Sequence, residues 1–303
     1  MIASVRDQRL AVSIVIGGAC GETAALTVAT LSSRKLPDVP NRDSPIGVLD
    51  SGVGGLSVLR EIRSQLPHEH LLYVADSKHA PWGDKAVEEI RRRARTIADF
   101  LLGQDAKAIV IASNTGTAAA AETLRTTLPV PVIAMEPAVK PAAAATKTGV
   151  IGVLVTVATS ESDRFRSLLE RFGSHATVIT QAAPGLVERV EAGDLFGART
   201  RELVERYTRP FVEGGADTIV LGSTHYPFLR PLIADVVGDH VTLIDTGAAV
   251  ARQVQRVLQT SNLRNDSGRP GSFRIWTSGD LATSQPVIQK LWGISVEVSP
   301  FSN

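Results

Sequence analysis

The chain reads as an α/β protein built from two pseudo-symmetric α/β domains with mostly parallel sheets and a ligand cleft between them. Three observations carry this expectation. From Pro45 onward, short apolar runs alternate with helical patterns, the rhythm of parallel strands joined by crossover helices. The run "IGVLDS" (Ile46–Ser51) returns 105 residues later as "IGVLVT" (Ile151–Thr156). The run "AKAIVIASNT" (Ala106–Thr115) returns 110 residues later as "ADTIVLGSTH" (Ala216–His225). Two copies in the same order at nearly the same spacing argue for duplication of a whole domain.

Taken in order, "IGVL" (Ile46–Leu49) predicts a strand and "LSVLREIRSQL" (Leu56–Leu66) a helix, from the spacing of its apolar residues. "LLYVAD" (Leu71–Asp76) predicts the next strand, and 87–102 the helix after it. The strand "AIVIAS" (108–113), an Ala-rich helix (118–128) and the strand "VPVIAM" (130–135) complete the first half. Glu136-Pro137 turns the chain into the second copy. The expected boundaries are an extension at 1–44, a first domain of 45–136 with 245–303, and a second domain of 137–244.

Composition narrows the function classes. The 303 residues are 44% hydrophobic and 21% charged, enough apolar material for two modest cores. A net charge of +1 gives neither a nucleic-acid groove nor a polybasic membrane anchor. The charge run Glu88–Arg95 pairs acids with bases at i,i+3 and i,i+4, which predicts a solvated helix face. Cys20 is the single cysteine, so no internal disulfide forms, in keeping with a reducing, cytoplasmic setting. The apolar run Leu10–Ala19 is broken by Gly17 and Gly18 far short of the roughly 20 residues of a membrane span, so 1–44 is expected to be a disordered extension. No metal-ligand cluster, pyridoxal motif or nucleotide motif stands out, so no cofactor and no metal are expected.

In open parallel sheets, ligands bind beyond the carboxyl ends of the strands. Two such domains face to face bring Ser113 and Ser223 to one ligand from opposite sides. Equivalent groups on two faces of a small molecule suit inversion of a stereocentre, one removing a proton and the other returning one. The residues themselves keep blander uses open. The glycines of "GVGG" (Gly52–Gly55) permit a tight turn, Asn114, Thr115 and Thr224 serve as helix caps, Asp50 caps a helix, His225 is a satisfied core histidine, and Glu191 is a solvated helix-end residue.

Six motifs in order, "GVLDSGVGGLSVLR" (47–60), "YVADSKHAPWG" (73–83), "SNTGTA" (113–118), "EPAVKPAA" (136–143), "GSTHYPFLRPLI" (222–233) and "LIDTGAAVA" (243–251), resemble the glutamate racemases of the cofactor-independent aspartate/glutamate racemase superfamily. The resemblance covers about 45–258, with weaker likeness through "RIWTSGD" (274–280). It implies a glutamate-binding cleft, interconversion of L- and D-glutamate by two-base proton transfer, and supply of D-glutamate for peptidoglycan. Family members use two cysteine thiols, and here Ser113 and Ser223 occupy those positions. The resemblance further assigns Asp50, His225 and Glu191 as assisting groups. It assigns Ser51, Pro81, Trp82, Gly83, Asn114, Thr115, Thr117 and Thr224 to the substrate. Trp82 stands where the family usually has tyrosine and Gly116 where it usually has alanine.

An alcohol is a far weaker acid than a thiol, by about seven pKa units, so its conjugate base costs roughly 9 kcal/mol more to form. Two alternatives therefore stand beside a racemase working with serines. One is a catalytically silent protein that binds a dicarboxylic amino acid. The other is a serine acyl-transfer enzyme using Ser113 or Ser223 with His225, although neither serine lies in Gly-x-Ser-x-Gly. Helices such as Leu56–Leu66 can serve either a core or a partner subunit, which keeps a homodimer open.

Overall fold

The computed structural model describes residues 40–172 and 176–302. Most of the expected extension, including Cys20, lies outside the described residues. Eleven α-helices and ten strands are seen among the described residues, and the strands form two parallel sheets.

The first sheet contains β1 (Ile46–Asp50), β2 (Leu71–Ala75), β3 (Ala108–Ile111), β4 (Val132–Ile133), β9 (Phe273–Thr277) and β10 (Val298–Pro300), in the order β10-β9-β2-β1-β3-β4. The second contains β5 (Val150–Val155), β6 (Thr177–Ala182), β7 (Thr218–Leu221) and β8 (Thr242–Ile244), in the order β6-β5-β7-β8. β2-β1-β3-β4 and β6-β5-β7-β8 are the same arrangement twice. The repeat seen in the sequence is thus a repeat of register. Val48 pairs with Val110 as Val153 pairs with Val220, and Leu49 with Ile111 as Leu154 with Leu221. In each copy the chain order reverses beside the first strand, where a parallel sheet opens a crevice at its carboxyl end.

Strands buried on both faces read as continuous apolar runs, and β1, β2, β3 and β7 are buried along their whole length. The helices that cover them are amphipathic. Helix α1 (Leu56–Gln65) buries Leu56, Val58, Leu59 and Ile62 and packs against α10 (Gly247–Thr260) of the same chain. Its apolar face is therefore used internally. Helices α2 (Val87–Leu102) and α3 (Asn114–Thr127) cover the opposite face of the first sheet. One apolar core runs from Leu59 and Ile62 through to Leu203 and Phe211 of α8 (Ala198–Glu213), joining material from both sheets.

Three local expectations are corrected. The strand expected over 130–135 shrinks to Val132–Ile133, because Pro131 has no N–H to give and the segment lies at the sheet edge. Only its carbonyl contributes, accepting from Ile109 N at 2.9 Å. Helix α3 starts four residues earlier than expected because Ser113, not Asn114 or Thr115, is its N-cap, with Oγ accepting from Gly116 N at 3.1 Å. The charge run of α2 is not wholly solvated. Arg93 is 3% exposed and meets the fully buried Asp76 through two bonds, Nη2 to Oδ1 at 2.6 Å and Nε to Oδ2 at 2.9 Å.

Candidate active site

A cavity of about 150 Å³ lies at the carboxyl ends of both sheets, the size range that holds one small molecule. The first sheet contributes Ser51, after β1, and Ser113, Asn114 and Thr115, after β3. The second contributes Thr156, after β5, and Gly222, Ser223, Thr224 and His225, after β7. The turn Pro81–Gly83 also borders it. Ser113 and Ser223 thus stand at equivalent strand ends and line the same space.

The two serines differ in what they touch. Ser113 Oγ accepts the Gly116 N–H within the cap of α3. Ser223 Oγ lies 3.5 Å from His225 Nδ1. The other imidazole nitrogen, Nε2, is 2.6 Å from Glu191 Oε1 on α7 (Leu186–Glu191). A carboxylate only accepts, so Nε2 carries the hydrogen there and Nδ1 is the nitrogen turned to Ser223. Burial pushes the His225 imidazolium down, but Glu191 and then Asp50 outweigh it and hold His225 above the usual histidine range.

Asp50 and Glu191 stand behind the cavity wall rather than in it. Asp50 Oδ1 accepts from Ser51 N at 2.7 Å, and Oδ2 from Gly55 N at 2.5 Å and Thr224 Oγ1 at 3.2 Å. Burial raises its carboxyl from 3.8 to about 6, against the lowering by His225 and by the Ser51 and Gly55 amides. Glu191 Oε1 also accepts from Val53 N at 2.8 Å, so the glutamate of the second half is seated on the glycine loop of the first.

That seat explains the glycines better than a tight turn does. A Cβ at Gly52 would run into the Glu191 carboxylate, and one at Gly54 into the His225 ring. Neither residue has a positive φ. Their use is close approach across the two halves. Asn114 also spans the halves, its Nδ2 donating to the Gly222 carbonyl at 2.7 Å.

Among the predicted residues, Thr117 is not brought to the cavity. Its side chain turns inward and accepts from Met135 N at 3.2 Å. Ser51, Pro81, Trp82, Gly83, Asn114, Thr115 and Thr224 do line it. Sequence reading missed Thr156, Val157, Ala158, Thr159 and Glu188, which also line it. The duplication held the signal for Thr156, since it follows β5 as Ser51 follows β1.

Among the described residues, no lysine or arginine lines the cavity. The first amides of α3, at Asn114 and Thr115, have no acceptor within the helix and present its positive dipole end to the space. A carboxylate fits there, whereas the hydroxyls of Ser51, Thr156 and Thr224 already donate to Asp50 Oδ1, Thr159 Oγ1 and Asp50 Oδ2 and turn their oxygens to the space as acceptors. Glu188 supplies negative charge for an ammonium group.

The Asp50 shift has a consequence for stability. Its carboxyl titrates near 6 in the fold but near 3.8 when unfolded, so between these values the fold holds the extra proton. Stability therefore falls as pH rises from about 4 to about 6, by roughly 3 kcal/mol. Denaturant unfolding at several pH values is expected to show this slope in the unmodified chain and its loss in Asp50→Asn. Equal slopes in the two proteins would refute it.

The family described as Asp/Glu/hydantoin racemase matches residues 46–254. A glutamate racemase of Pseudomonas aeruginosa is 57% identical over 249 residues, 82% of this chain and 94% of that protein. One from Pseudomonas putida is 53% identical over 262 residues, 86% of this chain and 98% of that protein. Among solved structures, a Bacillus anthracis glutamate racemase superposes with a TM-score of 0.77 at 32% identity, covering 86% of this chain and 98% of that one. Escherichia coli glutamate racemase in complex with L-glutamate gives a TM-score of 0.75 at 29% identity, covering 85% and 97%. Match over most of the sequence and shared architecture agree, and the chain belongs to the Asp/Glu/hydantoin racemase family.

Proposed function

We propose that the cavity takes glutamate between Ser113 and Ser223 and that the chain acts in the interconversion of L- and D-glutamate, by proton transfer on opposite faces of the α-carbon. The observation that carries this reading is the placement of two serines at equivalent strand ends of duplicated sheets, lining one small cavity. The E. coli relative was crystallised with L-glutamate, and a dicarboxylic amino acid matches the donors and the acid found here.

In this reading the amides of Asn114 and Thr115 hold a substrate carboxylate, while Asp50 acts through Thr224 and Glu191 through His225. Proton transfer on the Ser223 face is supported by the imidazole. On the Ser113 face, among the described residues, the hydroxyl's partner is the Gly116 amide rather than a side-chain base, and this favours a second reading, a glutamate binder with little or no exchange. The reading includes a role in peptidoglycan precursor supply in the cytoplasm, and a homodimer as the assembly to look for by light scattering.

Titration calorimetry with L- and D-glutamate, followed by NMR of the α-proton in D₂O, tests the proposal. Saturable binding of both enantiomers with slow loss of the α-proton signal is the expected result. Binding without exchange supports the silent binder, and absence of binding to either enantiomer overturns both readings.

A further inference from the structure

Trp82 is held at the cavity by burial and one hydrogen bond. It is 1% exposed, and its Nε1 donates to Asp76 Oδ2 at 3.1 Å. Asp76 in turn is fully buried, bonded to Arg93 on both oxygens, and accepts from Ser278 Oγ at 2.9 Å. His79 Nδ1 lies 2.9 Å from the same carboxylate. One buried carboxylate therefore ties the indole to helix α2 and to the segment after β9. The indole cannot retreat into this network without disturbing the buried Asp76–Arg93 pair.

On its far side the ring meets Gly116. A Cβ built on Gly116 falls 2.8 Å from Trp82 Cζ3, 3.2 Å from Ile111 Cγ2 and 3.2 Å from Ser113 Cβ. Gly116 has no positive φ, so backbone freedom is not its use. Two of the three neighbours are fixed, one on strand β3's buried end and the other the cap residue of α3. The indole is the part that must give, and the open side is the cavity that Trp82 lines. The same glycine gives its N–H to Ser113 Oγ. A shift of Gly116 therefore also disturbs the hydroxyl at the candidate reacting position.

We propose that Trp82 and Gly116 form one steric unit that sets the width of the cavity beside Ser113, so that the missing methyl at 116 decides how long an amino diacid fits. This rests on the glutamate reading given above. Trp82 is a specificity-determining wall, Gly116 the residue that positions it, and Asp76 with Arg93 the support behind it.

The test is a double-mutant cycle. Gly116→Ala is expected to weaken L-glutamate binding at least about 10-fold while weakening L-aspartate, one methylene shorter, about 3-fold or less. Trp82→Phe removes the atom at the collision point, so Trp82→Phe/Gly116→Ala is expected to return the glutamate affinity to within about 3-fold of that of Trp82→Phe alone. Loss of stability alone would lower both affinities together and would not be rescued by a smaller ring. Tryptophan emission reads the same displacement without ligand, shifting in Gly116→Ala and not between Trp82→Phe and the double variant. Additive losses, or an unchanged emission and unchanged glutamate-to-aspartate ratio in Gly116→Ala, overturn the coupling. An unmodified protein that binds neither acid overturns the function proposed above, and the emission cycle still decides the coupling.

Discussion

Ser113→Cys/Ser223→Cys is expected to raise the rate of α-proton exchange from L-glutamate at least about 10³-fold over the unmodified chain. The two base types differ by about seven pKa units, and a proton transfer that follows about half of that difference yields this factor. Each position would give a thiol surroundings that favour its ionised form. At 113 the sulfur would take over an acceptor position facing the Gly116 amide, at the positive end of a 14-residue helix. At 223 it would lie beside an imidazole whose charge Glu191 sustains.

Single replacements separate the two faces. Each is expected to speed exchange of one enantiomer only, because the α-hydrogen of the other points to the remaining serine. Full racemisation, followed by polarimetry or circular dichroism, requires both. A double variant that melts within a few degrees of the unmodified chain, binds glutamate and still exchanges no faster would sink the two-base assignment.

Arg93→Ala is expected to destabilise the protein by about 3–5 kcal/mol, because it strands a buried carboxylate that has given up water. Asp76 is wholly enclosed and takes two of its bonds from that guanidinium. In a protein of this size the loss corresponds to a fall in Tm of roughly 10 °C, measurable by calorimetry. Arg93→Lys is expected to recover only part of it, since an ammonium cannot reproduce the paired bonds to the two carboxylate oxygens. A change below about 1 kcal/mol in Arg93→Ala would show that the pair is no more than an exposed ion pair in energy.

The sequence showed the parallel α/β class, the duplication and the two serines, because these are written in short-range patterns. Apolar runs such as Ile46–Leu49 and Ile151–Leu154 are buried on both faces whatever packs on them. A repeat of residues at nearly equal spacing becomes a repeat of strand pairing, so Ser113 and Ser223 stand at matching strand ends. The motif around "GSTH" likewise carried His225 to the side of Ser223.

What the sequence left undecided concerns groups that meet across long chain separations. Arg93 reads in the sequence as one more charge on a solvated helix, and only the fold places buried Asp76, 17 positions earlier, beneath it. Glu191 looked like a helix end, and only the packing of the two halves seats it against Val53 and His225. Thr117 carries the right chemistry but faces inward, because one step along a helix turns a side chain by about 100°. Gly52, Gly54 and Gly116 are small for the sake of neighbours that no local pattern names. Local spacing determines which strands and helices form. Burial of polar groups, which must find partners once water is gone, is decided only where the tertiary structure brings the partners together.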